Sequence, residues 1–173
     1  MSTSKADLLL KGLIAALLVA LIAVAGSTLE QRVVVSGDNA PDFQIVADNG
    51  RTMTRSDFGG KLLVLNFWAT WCPPCIQELP SLNAFQEQMR AKGIVVLGVS
   101  VDKNAATYEQ FVKRAGISFV TARDPEANIS SSYGTFKYPE TYIINSGGKV
   151  VAKFIGPENW MDDRVIQQVQ SLL

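Results

Sequence analysis

The chain has 173 residues, 16 basic and 16 acidic side chains and no histidine, and 47% of its residues are hydrophobic. That describes one ordinary domain plus a short appendage, with enough apolar side chains for a sizeable core. Zero net charge excludes the electrostatic footprint of a nucleic-acid binder, and the lack of histidine removes the commonest general base, the commonest metal ligand and any Cys-His or Ser-His nucleophile pair.

Residues 1–11 read as a short leader carrying Lys5 and Lys11, and residues 12–29 hold no charge at all. Within them 13–25 is an unbroken apolar run, and the 18 uncharged residues together are roughly enough for a helix that spans a bilayer. Two lysines stand before the run, and Glu30 and Arg32 follow it. The positive-inside bias therefore keeps the leader in the cytoplasm and puts the remainder in the periplasm or on the outer side of a bacterial cell membrane. The segment is read as an uncleaved, single-pass signal anchor. The alternative is a secreted periplasmic protein after cleavage near Ala25, because Ala23-Val24-Ala25 satisfies the small-x-small pattern of a peptidase site. Both readings place the rest of the chain where disulfides form.

Residues 30–40 carry Gly37-Asp38-Asn39 ahead of Pro41 and read as a linker, with the folded domain over 41–173. In that domain 43–47 and 51–54 form a hairpin about the turn Asp48-Asn49-Gly50. The run 62–68 is nearly all apolar, the pattern of a strand buried on both faces. From Pro73 to residue 92 the apolar positions Ile76, Leu79, Leu82, Phe85 and Met89 recur at helical spacing, with a kink expected at Pro80. A second buried strand over 94–101 precedes a helix over 105–115 closed by Gly116, a strand over 117–121 and a short helix over 125–133. Strands over 141–145 and 150–155 flank Ser146-Gly147-Gly148, and a helix from about residue 159 ends the chain. Alternating strands and helices with a closing hairpin imply an α/β domain, a mixed sheet covered by helices on both faces.

The chemistry resides in Cys72-Pro73-Pro74-Cys75, which follows a buried strand and opens a helix. Two sulfurs at this spacing bond across one helical turn, and the free N–H groups and dipole at the helix start favour a Cys72 thiolate. Pro73 suits a first helical position, where a missing N–H costs nothing. Cys75, one turn deeper, resolves a mixed disulfide by attacking Cys72. The same spacing suits a metal thiolate, but the chain has only these two cysteines and no histidine, so a closed zinc site lacks ligands. No metal and no cofactor are expected. A Cu(I)-binding chaperone for oxidase assembly is the alternative from another class, and a disulfide oxidase or isomerase the alternative within redox chemistry.

Asn66-Phe67-Trp68-Ala69-Thr70-Trp71-Cys72-Pro73-Pro74-Cys75 with Glu78-Leu79-Pro80, and a second block Tyr138-Pro139-Glu140-Thr141-Tyr142-Ile143-Ile144-Asn145 with Gly148-Lys149-Val150, resemble the thioredoxin-like proteins of the TlpA, ResA and CcmG (DsbE) type over about 41–173. The resemblance implies a thioredoxin-like fold with an added N-terminal hairpin and an anchoring helix. It implies an extracytoplasmic thiol-disulfide oxidoreductase that reduces protein disulfides such as those of apocytochrome c, with electrons supplied by a membrane thiol carrier. It implies further that Pro139 is cis and faces the cysteines, and that the backbone of Tyr138 binds a client peptide, with Trp71 and Pro73 flanking the same place. Where thioredoxin has a buried acid, six residues before the first cysteine, this chain has Asn66. Glu78, about one helical turn beyond Cys75, matches a glutamate of the ResA-like proteins and is the candidate group for proton handling. The competing reading of Glu78 is a solvated helix charge. Trp71 is expected to shield Cys72, and Trp68 to enter the core.

Overall fold

The computed structural model describes residues 5–28 and 33–173. Residues 1–4 of the expected leader, Leu29 of the expected span and residues 30–32 of the expected linker lie outside the described residues. The chain divides into two compact units, residues 1–32 and 33–173.

The first unit contains helix α1, Lys5–Thr28, which begins seven residues earlier than the uncharged run. The helix formers ahead of Gly12 extend it, and Lys11 pairs with Asp7 one turn away at 3.1 Å. Its stretch Asp7–Val24 is long and apolar enough to cross a membrane. A signal sequence passes the same test.

In the second unit a two-stranded hairpin, β1 (Gln44–Val46) and β2 (Thr52–Thr54), precedes a five-stranded sheet. The sheet is formed by β3 (Leu62–Trp68), β4 (Ile94–Ser100), β5 (Val120–Arg123), β6 (Glu140–Asn145) and β7 (Val150–Ile155). Its order is β5-β4-β3-β6-β7, with β3, β4 and β5 parallel and β6 and β7 antiparallel to their neighbours. The helices are α2 (Pro73–Met89), α3 (Ala105–Ala115), α4 (Asn128–Ser132) and α5 (Asp163–Gln170). The expected mixed α/β sheet is thus present.

Every residue of β3 is buried, because it sits at the centre of the sheet and both faces are covered. Side-chain alternation sorts the strand. Leu62, Val64 and Trp68 join Leu79, Leu82, Phe85 and Met89 of α2 and Val165 and Val169 of α5 in one core. Leu63, Leu65 and Phe67 join Phe43, Met53, Phe58 and Tyr133 in the other. Asn66 belongs by parity to the α2 face, which is how a polar residue of the central strand comes to meet Glu78. Trp68 lies in the core as expected, and its indole nitrogen approaches Gly98, where a Cβ would stand 3.1 Å away.

Several boundaries differ from the sequence reading. Residues 33–40 do not behave as a linker: Val34 N–H donates to Tyr133 O, Gly37 N–H to Val150 O and Ala40 N–H to Gly148 O, and Val34 and Ala40 are buried. A polar, glycine-containing segment lacks periodicity whether it is free or laid along a hairpin edge, so its composition misled. The strand expected over 117–121 is β5, Val120–Arg123. Ser118 N–H is taken by Asn83 Oδ1 of α2, which draws this stretch away from the sheet until Val120 aligns with Leu97. The last helix starts at Asp163, capped by the Asp162 carboxylate accepting from Arg164 N–H, rather than near residue 159. Helix α2 runs on through Pro80. Ile76, counted among its core positions, is instead 37% exposed.

A buried ion pair stands behind the end of β6. Lys153 Nζ meets Glu140, which is fully buried, while Tyr142 donates its hydroxyl to the same carboxylate at 2.7 Å and Lys153 also donates to Val34 O. Lys153→Met removes one partner and leaves the Glu140 charge uncompensated, so it is expected to cost about 3–5 kcal/mol of stability near neutral pH. Urea denaturation of the variant against the wild type measures it.

Candidate active site

The site is assembled where the C-terminal end of β3 hands over to α2. Cys72 is the N-cap of α2 in an extended backbone conformation, with Pro73 and Pro74 opening the helix. Cys72 N–H donates to Ala69 O at 3.2 Å, closing the turn after the strand, and Ile76 N–H donates to Cys72 O at 3.1 Å, the first bond of the helix. Cys75 N–H points at Cys72 Sγ, 3.3 Å away. A sulfur at an N-cap takes the place of the usual Ser or Asp oxygen, so the group favoured there is an anion. The two cysteines form a disulfide with Cα atoms 5.3 Å apart, within the ordinary range. Cys72 retains 5% of its surface and Cys75 none, which orders them as the sulfur a partner reaches and the sulfur it does not.

The turn ahead of Cys72 is held by a carboxylate from another strand. Asp102, just beyond β4 and buried, accepts from Thr70 N–H at 2.8 Å, from the Thr70 hydroxyl at 2.7 Å and from the Ser100 hydroxyl at 2.6 Å. Sequence reasoning passed over Asp102, because nothing in Val101-Asp102-Lys103 distinguishes a buried acceptor from a surface turn acid. Asp102→Ala leaves the Thr70 N–H and two hydroxyls without their charged acceptor and is expected to destabilise the oxidised protein by about 2–3 kcal/mol, measured by urea denaturation.

The peptide bond between Tyr138 and Pro139 is cis, as the resemblance implied. Trp71 is 62% exposed, and its ring meets that of Tyr138 edge to face with centroids 6.1 Å apart. This contact joins the cysteine turn to the cis-proline turn. With Ile76 and the 73% exposed Phe136 it leaves apolar surface on residues neighbouring both turns. Phe136 was missed, since a single aromatic two residues before Tyr138 has no distinguishing pattern.

Glu78 is not a solvated helix charge. It is 2% exposed, on the face of α2 turned to the sheet. Asn66 Nδ2 donates to its Oε1 at 2.8 Å, and Glu158 N–H and Trp160 Nε1 donate to its Oε2 at 3.2 and 3.3 Å. The same Asn66 amide reaches Thr141 Oγ1 at 2.9 Å, which links the acid to the strand that follows Pro139. Burial pushes the Glu78 carboxyl up from 4.5 to about 7, against the opposing pull of the Asn66, Glu158 and Trp160 donors. Asn66 therefore replaces a buried acid on the strand, and Glu78 supplies one from the helix. Trp160 had no role in the sequence reading, because its partner lies 82 residues away.

Residues 36–153 match the AhpC/TSA family. The chain belongs to that family. It is 34% identical to a thiol-disulfide oxidoreductase ResA from Geobacillus thermodenitrificans over 140 residues, 78% of this chain and 80% of the relative. Against the Bacillus subtilis ResA identity is 29% over 163 residues, 91% of this chain and 89% of that one. A Chlorobium tepidum structure named as a thiol:disulfide interchange protein DsbE superposes with a TM-score of 0.73 at 31% identity, covering 81% of this chain and 98% of that chain. The fold is thioredoxin-like, and the chain is a protein dithiol-disulfide oxidoreductase of the ResA and DsbE type with its redox pair at Cys72 and Cys75.

Proposed function

We propose that this oxidoreductase works as a reductase on the outer side of a bacterial cell membrane, anchored there by α1. The observation that carries the direction is the placement of Glu78. A strongly oxidising dithiol owes its potential to a stabilised thiolate in the reduced form. A desolvated acid one helical turn from Cys75 acts the other way: once ionised, its charge opposes thiolate formation, and while protonated it holds a proton in reserve. In the forward step the Cys72 thiolate attacks a client disulfide, forming a mixed disulfide and releasing one client thiol. Cys75 then loses its proton, with Glu78 as the acceptor, and displaces the second client thiol to leave the Cys72–Cys75 disulfide. Two electrons pass to the client, and a membrane thiol carrier restores the dithiol.

The client side is formed by Tyr138, Pro139, Trp71 and Pro73. An extended peptide pairs with the backbone beside Tyr138 while apolar residues flanking its cysteines lie against Trp71. Apocytochrome c, with two cysteines close together, is the client supported by the resemblance to the TlpA, ResA and CcmG type. Cys75→Ala in the full-length chain tests this: it leaves Cys72 able to attack but removes resolution, so mixed disulfides accumulate in the native host. Recovery of cytochrome c polypeptides in them is the expected result, and their absence from a trapped pool of other proteins would refute that client.

A further inference from the structure

We propose that the turn 157–160 is a positioning device for Glu78, with Trp160 as its principal side-chain donor, and that it determines the pH range over which the dithiol exchanges. The inference rests on the reading of Glu78 as the proton acceptor of Cys75.

Three features single out this turn. It gives two of the three donors to the Glu78 carboxylate, Glu158 N–H and the Trp160 indole, both to Oε2. It is tied to α2 independently of Glu78: the Ser81 hydroxyl, which donates to Glu78 O at 2.8 Å, accepts from Trp160 N–H at 3.2 Å. Trp160 is itself wholly buried, wedged between Phe85 and Phe154 at ring separations of 5.5 and 5.4 Å, so its N–H is held in place by packing. Between α2 and the turn lies a cleft of about 330 Å³ whose walls include Glu78, Ser81, Pro157 and Glu158.

The charged group facing Glu78 from the turn is Glu158, whose carboxylate pairs with Arg164 at 3.1 Å at the start of α5. From β3 and β6 the network receives only the uncharged Asn66 and Thr141. A donor held by packing favours the ionised carboxylate over the neutral acid, so losing it makes Glu78 hold its proton to higher pH.

Trp160→Phe removes the N–H and keeps an aromatic ring in the same packing. The rate at which the reduced full-length protein in detergent reacts with a small aromatic disulfide is followed from pH 5 to 9. The Glu78 inflection in the wild-type profile is expected to move up by about one pH unit in Trp160→Phe, the size of one hydrogen bond to a charged group. In Glu78→Gln the inflection is absent, and adding Trp160→Phe changes nothing further. Val165→Ala, which leaves a cavity in the same core, lowers stability without moving the inflection. An inflection unmoved by Trp160→Phe, moved equally by Val165→Ala, or a profile shifted by Trp160→Phe in the Glu78→Gln background overturns the inference. Persistence of the inflection in Glu78→Gln alone refutes the underlying reading of Glu78 instead.

Discussion

Cys72→Ser is expected to bring disulfide exchange down to the uncatalysed rate, while Cys75→Ser still attacks once and then stalls. The asymmetry follows from position. Cys72 caps α2, receives the Cys75 N–H and keeps a sliver of accessible surface, whereas Cys75 has none. A hydroxyl at Cys72 has neither the acidity to ionise there nor a disulfide-forming product, so nothing replaces the lost thiolate. In an insulin-reduction assay both variants fail to turn over. Mass spectrometry after mixing with a client disulfide separates them, since only Cys75→Ser carries the client covalently. Equal adduct formation by Cys72→Ser would reverse the assignment of attacking and resolving sulfurs.

Glu78→Gln is expected to change the pH dependence of both stability and exchange. An acid whose pKa is raised by folding keeps its proton in the native protein after the unfolded chain has lost it. The unfolded chain then binds fewer protons, and stability falls as pH rises. For Glu78 the window runs from 4.5, its value when unfolded, to about 7 in the folded protein, and below that window the contribution is fully recovered. The loss amounts to roughly 3 kcal/mol once the window has been crossed. Glutamine keeps an acceptor for Asn66 and Trp160 without the charge, so the oxidised variant should lack this loss. Urea denaturation at pH 4 and pH 8 checks it: wild type loses more stability between the two than Glu78→Gln, and parallel behaviour of the two proteins would contradict a buried titrating acid. The proposed role of Glu78 as proton acceptor further predicts that, in exchange with a small-molecule disulfide, the attack of Cys75 on the mixed disulfide at Cys72 slows near pH 7 in Glu78→Gln.

Much of the site was legible because the chemistry is local in sequence. A cysteine pair after a buried strand and at a helix start can be recognised from a dozen consecutive residues, and the structure puts Cys72 and Pro73 at the N-cap and first turn. The central strands β3 and β4 were equally plain, since burial on both faces leaves a continuous apolar run. What the sequence concealed depends on long-range contact. Glu78 has the spacing of either a solvated charge or a buried acid, and only Asn66, Glu158 and Trp160, brought in from β3 and a turn far along the chain, decide between them. Asp102 and Lys153 were invisible for the same reason, as each is buried by partners from other segments. The 33–40 segment shows the converse: its composition is that of a linker, yet backbone bonds to the β6–β7 hairpin hold it on the domain.

The direction of electron flow is the claim most directly open to measurement. Equilibrating the full-length protein in thiol redox buffers at pH 7 and quantifying the Cys72–Cys75 disulfide gives its reduction potential. A reductase with an acid beside its dithiol predicts a value near that of thioredoxin, about −270 mV, and a value near about −120 mV, the range of a strong oxidant, would contradict it.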